Sequence, residues 1–272
     1  MSDFPPDVFS MYYMVLYFTT CNKILYKASC KLLIQSFIKY SNKNDLLYVF
    51  HENVENFITH SKITYINVDK CEIYTRWFDN FKHIIPEKYG GLAKPENDQR
   101  LQIGLAVKWN QKACLWFWKI VAYKSIIKYL SQDISHWVFL DSDTRFISSL
   151  DSDFFEKNCP CALNYHLGKF RKGIHIDRCA GIESGIVVFK NTSYTFAILK
   201  DLVDTFTSGD FLNYERWDDG YILRMIVQKP VNSLHCMDIV AKANEKNVIG
   251  VGPFAGKIVH DVGKHHRLKL DQ

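Results

Sequence analysis

Neither glycine-rich phosphate cradle occurs in this 272-residue chain: it has no G-x-G-x-x-G and no Walker loop. That excludes a Rossmann-bound dinucleotide and P-loop ATP chemistry. No linker rich in Pro, Gly or Ser, no internal repeat and no low-complexity tract interrupts the sequence, so one domain over 1–272 is expected. The formal charge is +5, yet Lys and Arg form no basic tract and read as scattered rather than gathered on one helix. A local anionic ligand such as a diphosphate is favoured over a nucleic-acid groove. None of the eight cysteines (21, 30, 71, 114, 159, 161, 179 and 236) forms a C-x-x-C pair or a zinc spacing, which fits free thiols in a reducing compartment. The start, Met1 to Ser10, carries no base, and the apolar run Met11 to Phe18 is too short for a membrane span. Neither a signal peptide nor an anchor is expected, and the location expected is cytoplasmic.

The 47% hydrophobic and 15% aromatic content suffices for a large core. Its organising stretch is Ile134 to Asp143, I-S-H-W-V-F-L-D-S-D. Trp137 to Leu140 reads as a strand buried on both faces, and its open end carries Asp141, Ser142 and Asp143. A period of two puts both carboxylates on one side, where together they suit a hard divalent cation. The plainer reading is a strand cap before a polar turn. A second Asp-Ser-Asp, Asp151 to Asp153, follows no hydrophobic strand and reads as a helix cap.

Upstream, Met11 to Phe18 predicts the first strand and Thr19-Thr20-Cys21-Asn22 a polar turn. A helix of roughly Lys23 to Tyr40 follows, with Leu25, Ala28, Leu32 and Phe37 as its apolar stripe. Leu46 to Phe50 and Ile63 to Val68 predict two parallel strands, giving β-α-β alternation. Tyr74 to Gln99 reads as a long loop and Leu105 to Leu130 as a long helix, whose Lys119 can aim an ammonium at an anion beside the acidic strand.

Downstream, Cys159 to Cys179 reads as a loop-like insertion containing His166, Lys169, Arg171, Lys172 and His175. Ala180 to Gly185, with Glu183 and Ser184, precedes a buried strand at Ile186 to Phe189, and its small residues let a ligand approach the backbone. Trp217, Asp218 and Asp219 stand before the apolar run Ile222 to Val227. The two acids are helix caps on one reading, and a base beside a sugar-stacking indole on the other. Lys257 to His266 reads as a short strand whose His260 can complete a cation site and whose Lys264 can neutralise phosphate.

The order of these pieces resembles GT-A-fold glycosyltransferases of the D-x-D type: a first strand ending Thr19-Thr20, Asp141-Ser142-Asp143, Glu183-Ser184-Gly185, and His260-x-x-Gly263-Lys264. The last is similar to an H-x-x-G-x-x-K ending, except that here the lysine directly follows the glycine. The resemblance implies an α/β fold, GT-A-like, with a mostly parallel central sheet flanked by helices. It also implies a nucleotide-binding half over about 11–143 and an acceptor-binding half over about 144–267. Asp143 and His260 would ligate Mn²⁺ or Mg²⁺, with Asp141 on the metal through water or on the donor. Thr19 and Thr20 would face uridine, Lys119 or Lys264 the diphosphate, and Glu183, Ser184 and Trp217 the substrates. The implied partners are a UDP-sugar donor and a glycan or glycoprotein acceptor.

With no anchor expected, the chain is similar to the cytosolic glycosyltransferases of large algal DNA viruses, some of which use UDP-xylose. Asp219, with Asp218 as its alternative, is expected to serve as the general base of an inverting transfer. Three other readings stand: a retaining transferase, a non-catalytic carbohydrate-binding protein, and a haloacid-dehalogenase-type phosphatase, which would place its D-x-D-x-T on the first strand.

Overall fold

In the computed structural model, residues 14–84, 113–127, 133–167, 181–239 and 252–261 are described. The central strands are continuous apolar runs, β1 (Met14–Asn22), β2 (Leu46–Glu52) and β4 (Ile134–Leu140), as parallel strands covered on both faces require. With β3 (Ile63–Asn67), β6 (Leu163–Tyr165), β7 (Ile186–Lys190) and β8 (Cys236–Asp238) they form a seven-stranded sheet in the order β3-β2-β1-β4-β7-β6-β8. Only β7 runs against its neighbours among these strands. The architecture is therefore mixed α/β with a large, mainly parallel central sheet flanked by helices, as expected.

Alternation along β1 divides the core. Leu16 and Phe18 face a cluster with α3 (Glu72–Phe81), α4 (Ala113–Ile126), α6 (Ser193–Ser208) and α7 (Asp219–Val227). Val15 and Tyr17 face the other layer, made by α1 (Lys23–Leu25), a π-helical turn (Tyr26–Cys30) and α2 (Lys31–Tyr40). That layer also holds α5 (Ser152–Asn158), where Asp151 accepts from the Phe154 N–H as the expected cap. A separate antiparallel pair, β5 (Thr144–Phe146) with β9 (Ile258–His260), packs there through Phe146 and Ile258. The four-residue α8 (Pro230–Ser233) leads into β8.

Several local expectations are corrected. Thr19 to Asn22 belong to β1 rather than to a turn, because β2 pairs with them up to Asn22↔Glu52. In the first helix the buried stripe is Tyr26, Cys30, Leu33, Ile34 and Phe37, and Leu32 is exposed. The supposed loop beginning at Tyr74 is the body of α3, anchored by Trp77, whose indole N–H donates to Phe206 O at 3.0 Å. Residues 85–99 of that loop lie outside the described residues, as do 105–112 and 128–130 of the long helix. The insertion after Cys159 contains β6, parallel to β8; Lys169, Arg171, Lys172 and His175 fall outside the description.

Candidate metal and donor site

The sheet order changes direction at β1, which has β2 on one side and β4 on the other. The crevice outside the carboxyl ends of two such strands is where an open α/β sheet offers a ligand site. β4 is followed there by Asp141, whose N–H donates to Gly185 O at 2.9 Å. A tight turn follows, with the Thr144 N–H and hydroxyl both donating to Asp141 O, at 3.0 and 2.7 Å. That turn presents Asp143 toward β9.

Register brings in the histidine. Thr144 pairs with His260 across β5 and β9, and the Asp261 N–H donates to Asp143 O at 2.9 Å. Arg145 fixes the same junction from outside, its Nε 2.8 Å from Asp261 Oδ2. His260 Nε2 consequently lies 3.0 Å from Asp143 Oδ1 and 4.0 Å from Asp141 Oδ2. One ligand atom from each of Asp141, Asp143 and His260 falls within 4.8 Å of the other two. Two carboxylate oxygens and one imidazole nitrogen, with both carboxylates still partly open, suit a divalent ion such as Mg²⁺ or Mn²⁺ that keeps further positions for substrate oxygens. Burial opposes protonation of His260, but the Asp143 hydrogen bond and the charges of Asp143, Asp141 and Glu183 hold its pKa above the usual histidine value.

Behind the triad, α4 delivers Lys119, which is 3% exposed although it carries a charge. Its Nζ lies 2.9 Å from Asp141 Oδ1 and 3.5 Å from Asp219 Oδ2, and donates to Ser184 Oγ at 2.8 Å. Desolvation works against the charged ammonium, but Asp141 and Asp219 outweigh it and raise its pKa. Held this way, Lys119 organises the acidic groups and has no free charge aimed at solvent. Asp219, 1% exposed, is pushed up to about 6 by burial, which Lys119 opposes and Asp218 reinforces. Burial also raises Glu183, whose Oε1 accepts from the Gly185 N–H at 3.2 Å.

The other expected residues are placed less centrally. Asp218 caps α7 through the Tyr221 N–H at 3.0 Å and takes the Arg216 Nε at 2.8 Å, so both its oxygens are engaged in structure. Arg216 is thus part of the site's frame, and its only sequence signal is a guanidinium two residues ahead of a capping aspartate. Trp217 packs edge-on against Phe211 at 5.5 Å, as part of the core on that side. Thr19 is fully buried with its hydroxyl unpartnered, and Thr20 is nearly so on the opposite face of β1. The last β1–β4 pair is Phe18↔Phe139, and two residues further on the same register would set Thr20 level with Asp141. Ser142 is buried in the turn. Lys264 and Gly263 lie outside the described residues.

No family model matches the chain, and no curated protein sequence does. Among solved structures, it is similar to the apo crystal structure of mouse xyloside xylosyltransferase 1. That similarity has 12% identity and a TM-score of 0.43, and covers 81% of this chain and 83% of that one. No helix among the described residues is long and apolar enough to cross a membrane. Among the described residues the acidic motif closes the fourth strand, after three parallel strands, and not the first strand that a haloacid-dehalogenase-type phosphatase would use.

Proposed function

We propose that the chain is a metal-dependent glycosyltransferase that moves a sugar, xylose or a hexose such as glucose or galactose, from a UDP-sugar to a hydroxyl of a glycan or glycoprotein acceptor. The Asp141, Asp143 and His260 triad at the open end of β4 is the observation that carries this reading. A bound divalent ion would supply charge neutralisation for the departing diphosphate. Asp143 and His260 would hold that ion directly, and Asp141 would contact it through water or bind the donor. Lys119, itself bonded to Ser184, keeps Asp141 oriented, which spares the site the cost of ordering it on binding.

Of the two aspartates at the start of α7, Asp219 is the one left for chemistry, because Asp218 is committed to Arg216 and the helix cap. A carboxyl that burial raises to about 6 has a pKa suited to taking a proton from an acceptor hydroxyl near neutral pH, and on this reading the transfer inverts. The expected result for Asp143→Ala is loss of Mn²⁺-dependent UDP binding by calorimetry, with the circular dichroism spectrum intact. Wild-type UDP binding unchanged by EDTA would sink the metal assignment. Proton NMR of the first-formed product tests the stereochemistry independently, and an α-linkage from an α-linked donor would overturn inversion.

A further inference from the structure

The helix that starts one residue after β1 gathers bases that the linear sequence appears to scatter. From Lys23 to Tyr40 it has four lysines, Lys23, Lys27, Lys31 and Lys39, and no acid. All four are exposed, because spacings of four and eight residues return to one side of a helix while Tyr26, Leu33, Ile34 and Phe37 turn inward. On that same outer side Ile24 is 59% and Leu32 52% exposed. Both aliphatic side chains thus present more than half of their surface to water between the lysines. Lys31 Nζ lies 5.6 Å from the Tyr26 ring and Lys39 Nζ 4.9 Å from the Tyr40 ring, so their stems follow the protein surface. Lys23 pairs with the exposed Glu55 at a loose 3.4 Å. Beside α2, the Phe146 N–H donates to Ser36 Oγ at 3.0 Å, and the next residue, Ile147, is also an exposed aliphatic.

We infer that this face is a peripheral docking surface for a bilayer rich in anionic phospholipid, with the lysines at headgroup level and Ile24 and Leu32 entering the acyl boundary. Charge complementarity selects the partner's sign. The exposed aliphatics favour a bilayer, which has an apolar layer directly beneath its charge, over a purely acidic polypeptide. The association is reversible and needs no spanning helix. It is independent of the proposed glycosyl transfer, because none of these residues belongs to the triad or to its Lys119 support.

The test is co-sedimentation of the full chain with large vesicles of phosphatidylcholine, with and without phosphatidylserine. Binding is expected only to the anionic vesicles and should weaken as salt shortens the screening length from ~10 Å at 0.1 M to ~3 Å at 1 M. A lysine near an anionic surface contributes ~1 kcal/mol, about fivefold in partition. Lys27→Glu with Lys31→Glu should therefore lower binding about 25-fold or more, whereas Lys82→Glu with Lys200→Glu, an equal charge change elsewhere on the exposed surface, should not. Ile24→Ser with Leu32→Ser should weaken binding about tenfold at unchanged salt dependence. All six positions are exposed, so circular dichroism should report intact folds. Equal binding to neutral vesicles, binding to no vesicle, capture by polyglutamate instead of lipid, or equal loss from both charge-reversed pairs would each overturn the inference.

Discussion

Replacing Lys119 with methionine keeps the length of the side chain and removes the charge on which Asp141 and Asp219 both depend. At 2.9 and 3.5 Å, and with an effective permittivity of ~20, each attraction amounts to about 5 kcal/mol. Desolvation of the ammonium offsets several kcal/mol of that total. Removing one member of such a buried group typically costs ~3–5 kcal/mol, because the charge left behind has no partner. Asp219 is the exposed weakness: it is fully buried, and neither oxygen has another hydrogen-bond partner. With an unfolding entropy of about 2.1 cal/mol/K per residue, a domain of this size should lose roughly 5–10 °C in Tm. Differential scanning calorimetry at neutral pH reads that shift. Adding Asp219→Leu should recover part of it, since the orphaned carboxylate disappears. A Tm change within about 1 °C for Lys119→Met, or a double variant no better than the single, would refute the view that the ammonium is structural glue for the acidic groups.

Three further outcomes are expected. Burial pushes the Asp45 carboxyl up to about 6, although N–H donors of Val15 and Asn42 pull it down. The folded state therefore holds its proton in a range where the unfolded chain has released it, so this group's contribution to stability falls as pH rises from about 4 to 6. The drop is on the order of 3 kcal/mol, and Asp45→Asn should flatten that part of the urea-stability profile. Gly220→Ala should unfold or disable the chain, because a Cβ there would sit 2.3 Å from Ile182 O, on backbone that also joins Asp219 to the Glu183 segment; a fully stable variant would show that this contact yields easily. The thiols are expected to titrate as free cysteines in non-reducing denaturant, and two or more native disulfides would contradict the reducing compartment inferred from their spacing.

The acidic turn was legible because its signal is local: an apolar rail buried along its whole length ends on carboxylates two residues apart. Lys119 was legible as a nearby cation, but not as one held by Asp141, Asp219 and Ser184. That arrangement requires α4, β4, α7 and the Glu183 segment to meet, and nothing in any one of them records the meeting. β6 was missed because three residues within a polar stretch show no period; pairing to β7 and β8, not propensity, makes Leu163 to Tyr165 a strand. The basic face was missed for a geometric reason. Lysines four apart make no tract in a linear reading, and only the helix repeat aligns them.

His260 reaches Asp143 from 117 positions away, carried by a three-residue ribbon outside the main sheet. Such a ribbon has few hydrogen bonds of its own, so its amides should exchange with solvent well before those of β1 or β4. An ion ligated across that junction would close the long loop for the folded state alone. Slowed deuterium uptake at Ile258 to Asp261 on adding Mn²⁺ would then make the last strand a reporter of occupancy, observable without any sugar, donor or turnover.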